Sequence, residues 1–267
     1  MQRHAAIVTG GRQGIGRGIA YALAEAGFDI VLIDLVDDAA TRQTLDGIAR
    51  RGVRSRFIAF DIADVAQSAA ICDQAFAAFG RIDVLVNNAG VQVADRSADV
   101  LHTTLASFDR LMDINLRGTF FLTQAVAKRM VTVQPEGFRA IVTISSSNAL
   151  HAKTNGAEYC LSKSALSMMN KIFALQLAPN DIACYEVQPG LIKTDMNASV
   201  HDKYEPLVHA GLSPVRRWGT ADDVAAVVAT LATGKLPFVT GEVLHVDGGI
   251  HIPKSPFESP FVKQQLG

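Results

Sequence analysis

The run Thr9-Gly10-Gly11-Arg12-Gln13-Gly14-Ile15-Gly16 lies between a short apolar segment, residues 5–8, and a stretch with helical periodicity, residues 17–24. Glycines at 10, 14 and 16 allow a tight turn, close approach of the backbone to a phosphate, and close packing of helix on strand. The amino end of a helix also attracts anions. The run predicts a strand–turn–helix unit that binds a pyrophosphate; the alternatives are a plain structural turn or the glycine-rich turn of another α/β fold.

Short apolar runs alternate with helical patterns along the rest of the chain. The runs lack strict polar alternation, which is typical of strands buried on both faces of a parallel sheet. We expect strands at Ala5–Val8, Ile30–Ile33, Arg56–Phe60, Ile82–Val86, Ala140–Ile144, Ala183–Val187 and Glu242–Val246. We expect helices at Ile15–Gly27, Ala39–Gly52, Val65–Gly80, Leu105–Met130, Glu158–Leu177 and Ala221–Gly234. The order predicts an α/β fold, a doubly wound Rossmann-type sandwich with a seven-stranded parallel sheet, in one domain spanning 1–267.

The composition narrows the classes of function. The 267 residues include 25 Lys and Arg against 26 Asp and Glu, a net charge of −1, and 49% are hydrophobic. Balanced charge disfavours a nucleic-acid-binding face, and the hydrophobic content disfavours disorder. No apolar stretch reaches the roughly 18 residues of a membrane span, and no export signal is evident, so we expect a cytoplasmic protein. Cys72, Cys160 and Cys184 form no CxxC pair, so we expect neither a disulfide framework nor a bound metal.

An acidic residue at the end of the second strand bears on the choice of cofactor. Asp34 follows Gly10 by 24 residues, where a carboxylate can accept both hydroxyls of an adenosine ribose and repel a 2′-phosphate. This favours NAD over NADP. Arg12 argues the other way, because a cation in the loop could reach a 2′-phosphate. A solvated aspartate at a strand end is the alternative without function.

Tyr159 and Lys163 are four residues apart in a predicted helix, so their side chains project from one face. Such pairs are common in ordinary amphipathic packing. Chemically, an ammonium beside a phenol favours the phenolate and lowers a pKa that is about 10 in isolation. A tyrosine tuned in this way can take a proton from an alcohol or return it to a ketone.

Motifs along the whole chain resemble the short-chain dehydrogenase/reductase family. The family's TGxxxGxG motif is matched at 9–16, its adenine-contacting acid by Asp61, its NNAG motif at 87–90, and its Pro-Gly after the sixth strand at 189–190. The resemblance implies an oxidoreductase that interconverts a secondary alcohol and a ketone with a nicotinamide cofactor. It implies cofactor contacts at Gly10, Arg12, Gln13, Gly14, Ile15, Gly16, Asp34, Asp61, Ile62, Asn88, Ala89, Gly90, Tyr159, Lys163, Pro189, Gly190, Ile192 and Thr194.

The resemblance also implies a catalytic tetrad of Asn115, Ser146, Tyr159 and Lys163. In the family, the serine hydroxyl polarises the substrate oxygen, the asparagine holds a water in a proton relay, and the lysine also binds the nicotinamide ribose. Family spacing selects Ser146, while the adjacent Ser145 and Ser147 remain alternatives. If the family resemblance is set aside, the simplest interpretation of Asn115 is a capping or back-bonding residue at a helix distortion. We further expect a homo-oligomer, either a dimer or a tetramer.

Three stretches exceed the usual length of such a chain: the 132–138 turn, the 194–218 segment and the 250–267 tail. A long segment past a strand's carboxyl end usually covers a ligand, so we expect 194–218 to cover the substrate. Asn148, His151 and His201 are further candidates for substrate contact, and the alternative for the two histidines is that they are surface residues. We also expect Phe257 and Phe261 in the tail to pack on a neighbouring subunit.

The polar, basic and aromatic mixture in 195–204 favours a small polar hydroxy compound, such as a sugar, sugar acid or polyol. The pattern also resembles 3-oxoacyl-(acyl-carrier-protein) reductases, which is the alternative function. Against it, Asp34 disfavours NADPH, and the long 132–138 turn puts carrier docking near Lys128 and Arg129 in doubt. A non-catalytic dinucleotide sensor is the alternative of another class. A methyltransferase would share the glycine turn but gives no reason for the Tyr/Lys pair.

Overall fold

Seven strands are present at the expected places: β1 (Ala5–Thr9), β2 (Asp29–Asp34), β3 (Ser55–Ala59), β4 (Val84–Asn87), β5 (Arg139–Ile144), β6 (Ile182–Pro189) and β7 (Glu242–Val246). The computed structural model describes residues 3–93, 99–133 and 137–253. Every strand pairs in parallel with its neighbours, in the order β3-β2-β1-β4-β5-β6-β7. The predicted doubly wound α/β fold is confirmed.

The helices are α1 (Gly14–Glu25), α2 (Ala39–Ala49), α3 (Ser68–Phe79), α4 (Leu105–Leu111), α5 (Thr119–Met130), α6 (Ala157–Leu177), α7 (His201–His209) and α8 (Ala221–Ala232). Two features differ from the sequence-based expectation. The stretch expected as one helix from 105 to 130 contains a π-helical segment, Met112–Gly118, between α4 and α5. The helix α7 was not expected, because Pro206 and a polar composition hide its periodicity.

Both faces of the sheet are covered, which explains why the strands read as continuous apolar runs. On one face, Ile7, Val31 and Leu85 belong to a core cluster that also includes buried residues of α3, α5 and α6. On the other face, Val8 and Val86 belong to a cluster with α1, α2 and α8. Side chains alternate between the faces along each strand, so one strand supplies both cores.

The strand order reverses between β1 and β4, which are neighbours in the centre of the sheet. The chain leaves β1 towards β2 on one side and leaves β4 towards β5 on the other, which opens a crevice at the carboxyl ends of these strands. This crevice holds the candidate site. Within the described residues, no helix has the length and apolar character to cross a membrane. Residues 134–136 of the expected long turn, and Phe257 and Phe261 in the tail, lie outside the described residues.

We expect Leu85→Ala to lower the free energy of unfolding by about 2–5 kcal/mol, because the side chain is fully buried in β4 and its removal leaves a cavity. Leu101→Ala is the matched control: its side chain is 86% exposed, so the change should stay within about 0.5 kcal/mol. Urea unfolding followed by circular dichroism measures both. Equal effects of the two substitutions would contradict the burial assigned to β4.

Candidate active site

The glycine loop joins β1 to the amino end of α1, as the sequence predicts. Gly10 and Gly14 have φ angles of +62° and +56°, which side chains with a Cβ rarely adopt. A Cβ on Gly16 would lie 2.1 Å from the carbonyl oxygen of Gly10. The first turn of α1 contains no acidic residue, and Gln13 makes no side-chain cap. Its N–H groups are therefore oriented for an anion, and the loop can approach a pyrophosphate closely.

The loop is held to the neighbouring strand by Thr9 and Asn88. The Thr9 hydroxyl accepts hydrogen bonds from the N–H groups of Asn88 and Ala89, each at 3.0 Å. The Asn88 amide donates to the carbonyl oxygens of Thr9 and Gly10, both at 2.9 Å. This exchange fixes the turns after β1 and β4 against each other, across the point where the strand order reverses.

Arg12, which the sequence left as a possible phosphate ligand, is paired with two carboxylates. Its Nε lies 3.5 Å from Oδ1 of Asp34, and its guanidinium donates to Asp38. Asp34 also accepts from the backbone N–H groups of Arg12 and Leu35, at 3.1 and 2.8 Å. The backbone N–H of Thr41 and, less strongly, Arg12 hold the pKa of Asp38 below its usual value. Arg17 also donates to the Arg12 carbonyl oxygen at 2.8 Å, so two guanidinium groups and two carboxylates lie beside the loop.

Tyr159 and Lys163 lie on one face of α6 and both line the cavity. The Lys163 ammonium lies 5.7 Å from the centre of the Tyr159 ring and donates to the carbonyl oxygen of Ile144 at 3.2 Å. Both side chains are buried. Burial lowers the pKa of Lys163 to about 8, while the carboxylate of Glu186 acts in the opposite direction. Lys163 therefore remains mostly protonated at neutral pH.

The structure distinguishes the three serines that the sequence left open. All three line the cavity, but the Ser145 hydroxyl hydrogen is already donated to Glu186. The Ser146 oxygen accepts from the N–H of Asn148 at 3.1 Å, so its own hydrogen remains for a further acceptor. Ser147 opens a short 3-10 turn. Ser146 therefore has the best geometry to donate to a substrate oxygen in the cavity.

Asn115 lies in the π-helical segment, and its side chain is fully buried behind the cavity wall. Its amide exchanges two hydrogen bonds with the backbone of Val91, at 2.8 and 3.1 Å, and donates to Ser162. A Cβ on Gly90 would lie 3.2 Å from Oδ1 of Asn115 and 3.4 Å from Nζ of Lys163. Asn115 and Lys163 therefore border the same glycine, although Asn115 does not line the cavity.

Glu186 and Gln188 on β6 are polar residues that the sequence analysis did not single out. Both are buried, and one oxygen of Glu186 accepts hydrogen bonds from Ser145, from Ser167 at 2.6 Å and from Gln188 at 2.7 Å. An acid and an amide inside an otherwise apolar strand are the signal that could have identified them, because unpaired polar groups are costly in such a strand.

Apart from Asn115, the predicted site residues share one cavity of about 780 Å³. Its far end is formed partly by the 194–218 segment, through Asp195, Met196, Lys203, Tyr204 and Trp218. Of the two histidines considered, His151 lines a separate shallow pocket with His251, and His201 packs its ring edge-on against Trp218 at 5.1 Å. The lining residues named in the sequence analysis are Gly10, Arg12, Gln13, Gly14, Ile15, Gly16, Asp34, Asp61, Ile62, Asn88, Ala89, Gly90, Ser146, Tyr159, Lys163, Pro189, Gly190, Ile192 and Thr194.

His245 near the end of β7 lies beside Asp247 and His251, which follow the strand, with potential ligand atoms within 4.8 Å of one another. The Asp247 carboxylate already accepts from the N–H groups of Gly249 and His251 and from the His251 ring. A Cβ on Gly190 would lie 2.6 Å from that of Asp247. We therefore interpret the cluster as part of a turn that packs against the Pro189-Gly190 segment. The expectation that the protein binds no metal stays a prediction.

Comparison with known proteins agrees with this geometry. A family model described as enoyl-(acyl carrier protein) reductase matches residues 10–251. The chain belongs to the short-chain dehydrogenase/reductase family. The 2-dehydro-3-deoxy-D-gluconate 5-dehydrogenase of Dickeya dadantii is 30% identical over 252 residues, covering 93% of this chain and 96% of its own.

Two solved structures of the family differ in the cofactor they contain. A 3-oxoacyl-[acyl-carrier protein] reductase from Brucella melitensis in complex with NAD is 44% identical, with a TM-score of 0.92 over 96% of this chain and 100% of its own. A protein from Agrobacterium tumefaciens with bound NADP is 29% identical, with a TM-score of 0.82 over 92% of this chain and 96% of its own. The family relationship alone therefore leaves the choice of dinucleotide to local residues.

We expect Gly16→Ala to weaken NADH binding roughly tenfold or more, since its Cβ would overlap the Gly10 carbonyl and displace the loop. Gly18→Ala, in the same helix, is the control, because its Cβ would approach Ala221 on α8 at 3.1 Å and leave the loop in place. NADH fluorescence titration measures both affinities. Unchanged binding by Gly16→Ala would show that the dinucleotide does not depend on this turn.

Proposed function

We propose that this protein is an NAD(H)-dependent oxidoreductase that interconverts a secondary alcohol and a ketone on a small polar substrate. The observation that carries the proposal is the convergence of Tyr159, Lys163 and Ser146 on one cavity whose other end is the glycine loop. A bound nicotinamide supplies the hydride acceptor or donor. The protein then has to orient the substrate and move one proton.

The proton is managed by three side chains. Tyr159 takes the proton of the alcohol hydroxyl during oxidation and returns it during reduction. The Lys163 ammonium favours the phenolate form of Tyr159, since an opposite charge stabilises the charged state. The Ser146 hydroxyl donates to the substrate oxygen as negative charge develops there. Asn115 is placed to support Lys163 through the backbone around Gly90, and Ile192 and Thr194 line the cavity where a carboxamide would bind.

The choice of NAD rests on charge beside the adenosine end of the cavity. A 2′-phosphate at Asp34 would meet two carboxylates and one guanidinium that already pairs with both. Arg12 would have to leave Asp34 and Asp38 to bind it. A ribose with two free hydroxyls requires no such change, and Asp34 can accept from them. The Brucella relative with bound NAD supports the same choice.

The substrate end supports a small polar compound such as a sugar, sugar acid or polyol. Beyond Ser146, the cavity is lined by side chains that form hydrogen bonds or carry charge, interspersed with the apolar side chains of Val91, Val93, Ile114, Leu191, Met196 and Trp218. The name of the Dickeya relative, a dehydrogenase of a sugar acid, supports this class. The polar lining residues are Gln92, Arg110, Asn148, Lys153, Asn155, Lys203 and Tyr204.

Reduction of 3-oxoacyl thioesters is the second candidate, because the Brucella relative, 44% identical, carries that name. The surface around Lys128 and Arg129 on α5 gives it little support. Lys128 contacts Gln124, and Arg129 lies over the Phe76 ring and 3.9 Å from Asp73. A panel of sugars, sugar acids, polyols and 3-hydroxyacyl thioesters, followed by absorbance at 340 nm, distinguishes the candidates. NADH binding without turnover of any compound would favour a dinucleotide sensor.

We also propose that the protein forms a homo-oligomer. A stripe on α6 exposes Leu161, Met168, Ile172 and Leu175, which are between 52% and 81% accessible. Their spacing places them along one side of the helix. An apolar stripe of this length favours burial against another copy of the chain.

We expect Tyr159→Phe to retain NADH binding and to lose turnover by about 10²–10⁴-fold, the usual contribution of general acid–base catalysis. Tyr21→Phe is the control, because Tyr21 is not among the described residues that line the cavity and its hydroxyl donates to the Gln43 carbonyl oxygen. Steady-state rates and NADH titrations report the two effects separately. Near-normal turnover in Tyr159→Phe would refute the assigned role.

We expect the wild-type protein to prefer NAD and Asp34→Ser to reduce that preference by about 10- to 100-fold, since a like-charge clash with a 2′-phosphate costs several kcal/mol. The control is Asp37→Ser, which removes an exposed carboxylate that faces Arg42. The ratio of kcat/KM for NAD and NADP measures the effect. A wild-type preference for NADP would show that Arg12, and not Asp34, decides the choice.

A further inference from the structure

The carboxylate of Glu186 is fully buried beneath α6, on the same face of the sheet as Lys163. All its hydrogen bonds from described residues reach one oxygen, Oε1, from Ser145, Ser167 and Gln188. Three donors therefore converge on a single oxygen of this side chain. The other oxygen, Oε2, has no hydrogen-bond partner among the described residues. A buried carboxylate that accepts hydrogen bonds on just one of its oxygens is costly unless a positive charge lies nearby.

Lys163 is placed to supply that charge. Burial lowers its pKa to about 8, and Glu186 is the group that opposes this shift. The ammonium also faces Tyr159 on its own helix and Asn115 across Gly90. Behind Glu186 lies His245 on β7, whose pKa is lowered by burial and by His251, with Asp247 and His151 beyond. The lowered pKa of His245 favours its neutral form.

The same carboxylate also connects to the backbone that the site depends on. Ser145, which donates to Glu186, follows Ile144, whose carbonyl oxygen accepts from Lys163. Ser145 also precedes Ser146. Glu186 therefore contacts the end of β5 one residue after the carbonyl that accepts from Lys163.

We propose that Glu186 is a positioning residue: its buried carboxylate compensates for the burial of the Lys163 ammonium, and its bond to Ser145 fixes the segment that carries Ser146 and the Ile144 carbonyl. It touches neither substrate nor cofactor. This inference rests on the proposed function only in giving Lys163 a task in catalysis. The charge coupling between Glu186 and Lys163 can be tested without cofactor or turnover. Failure of this proposal is therefore distinguishable from failure of the proposed function.

The test is a double-mutant cycle of thermal unfolding at pH 7, with wild type, Glu186→Gln, Lys163→Met and the double variant. Glu186→Gln keeps the shape and an acceptor oxygen but removes the charge. We expect it to lower Tm by roughly 5–10 °C in the wild-type background, because removing one of two coupled buried charges leaves the other uncompensated. In the Lys163→Met background it should leave Tm unchanged or raise it, because there it removes an uncompensated charge.

Cys184→Ala is the matched control, since Cys184 is buried two residues earlier on the same face of β6; its effect should be equal in both backgrounds. An equal effect of Glu186→Gln in both backgrounds would overturn the proposal. If Glu186→Gln does not fold but the double variant does, the coupling is supported. If neither folds, Glu186 acts as a packing residue and the proposal fails.

The pH dependence gives a second readout that a purely structural role would not change. The pKa of Lys163 falls from 10.5 to about 8 on folding, so the unfolded chain binds more protons in this interval and stability rises with pH. Without the Glu186 carboxylate, the pKa of Lys163 in the folded protein falls further, so the pH range in which stability rises extends to lower pH. The Tm deficit of Glu186→Gln should therefore be larger at pH 7 than at pH 10.5. A deficit independent of pH would overturn the proposal.

Discussion

A buried ammonium is the constraint on which the candidate site depends. Lys163 has only 5% of its surface exposed, and a charge in such a place persists only where other groups compensate for the lost water. The Ile144 carbonyl and the Glu186 carboxylate provide this compensation from two strands of the sheet. The positions of β5, β6 and α6 are thereby linked to one charge, next to the phenol proposed to transfer the proton.

The rest of the fold brings the other half of the cavity to this charge. The turns after β1 and β4 meet where the strand order reverses, and Thr9 and Asn88 fasten them together. The glycine loop is thus rigid relative to Gly90, which borders both Lys163 and Asn115. A dinucleotide that spans the loop and Lys163 would be held by elements of one sheet, which is how the fold can set the distance between phosphate binding and proton transfer.

The sequence predicts the elements that depend on local patterns. The seven strands and the glycine turn follow from apolar runs and from residues with special backbone freedom. The sequence does not predict contacts between a side chain and residues that are far away along the chain. The pairing of Arg12 with Asp34 and Asp38, and the commitment of Ser145 to Glu186, depend on residues up to 41 positions away. The helix α7 was missed because Pro206 and polar residues conceal it, and the π-helical turn at Asn115 has no simple sequence pattern.

The most direct test of this account is the pKa of Lys163 in the folded protein. Nuclear magnetic resonance of protein labelled with ¹³C at the lysine ε-carbon reports each ammonium, and the resonance missing from Lys163→Met identifies this one. We expect its titration midpoint at about 8, well below that of exposed lysines near 10.4. A midpoint equal to that of the exposed lysines would show that Lys163 is solvated, and would contradict the account.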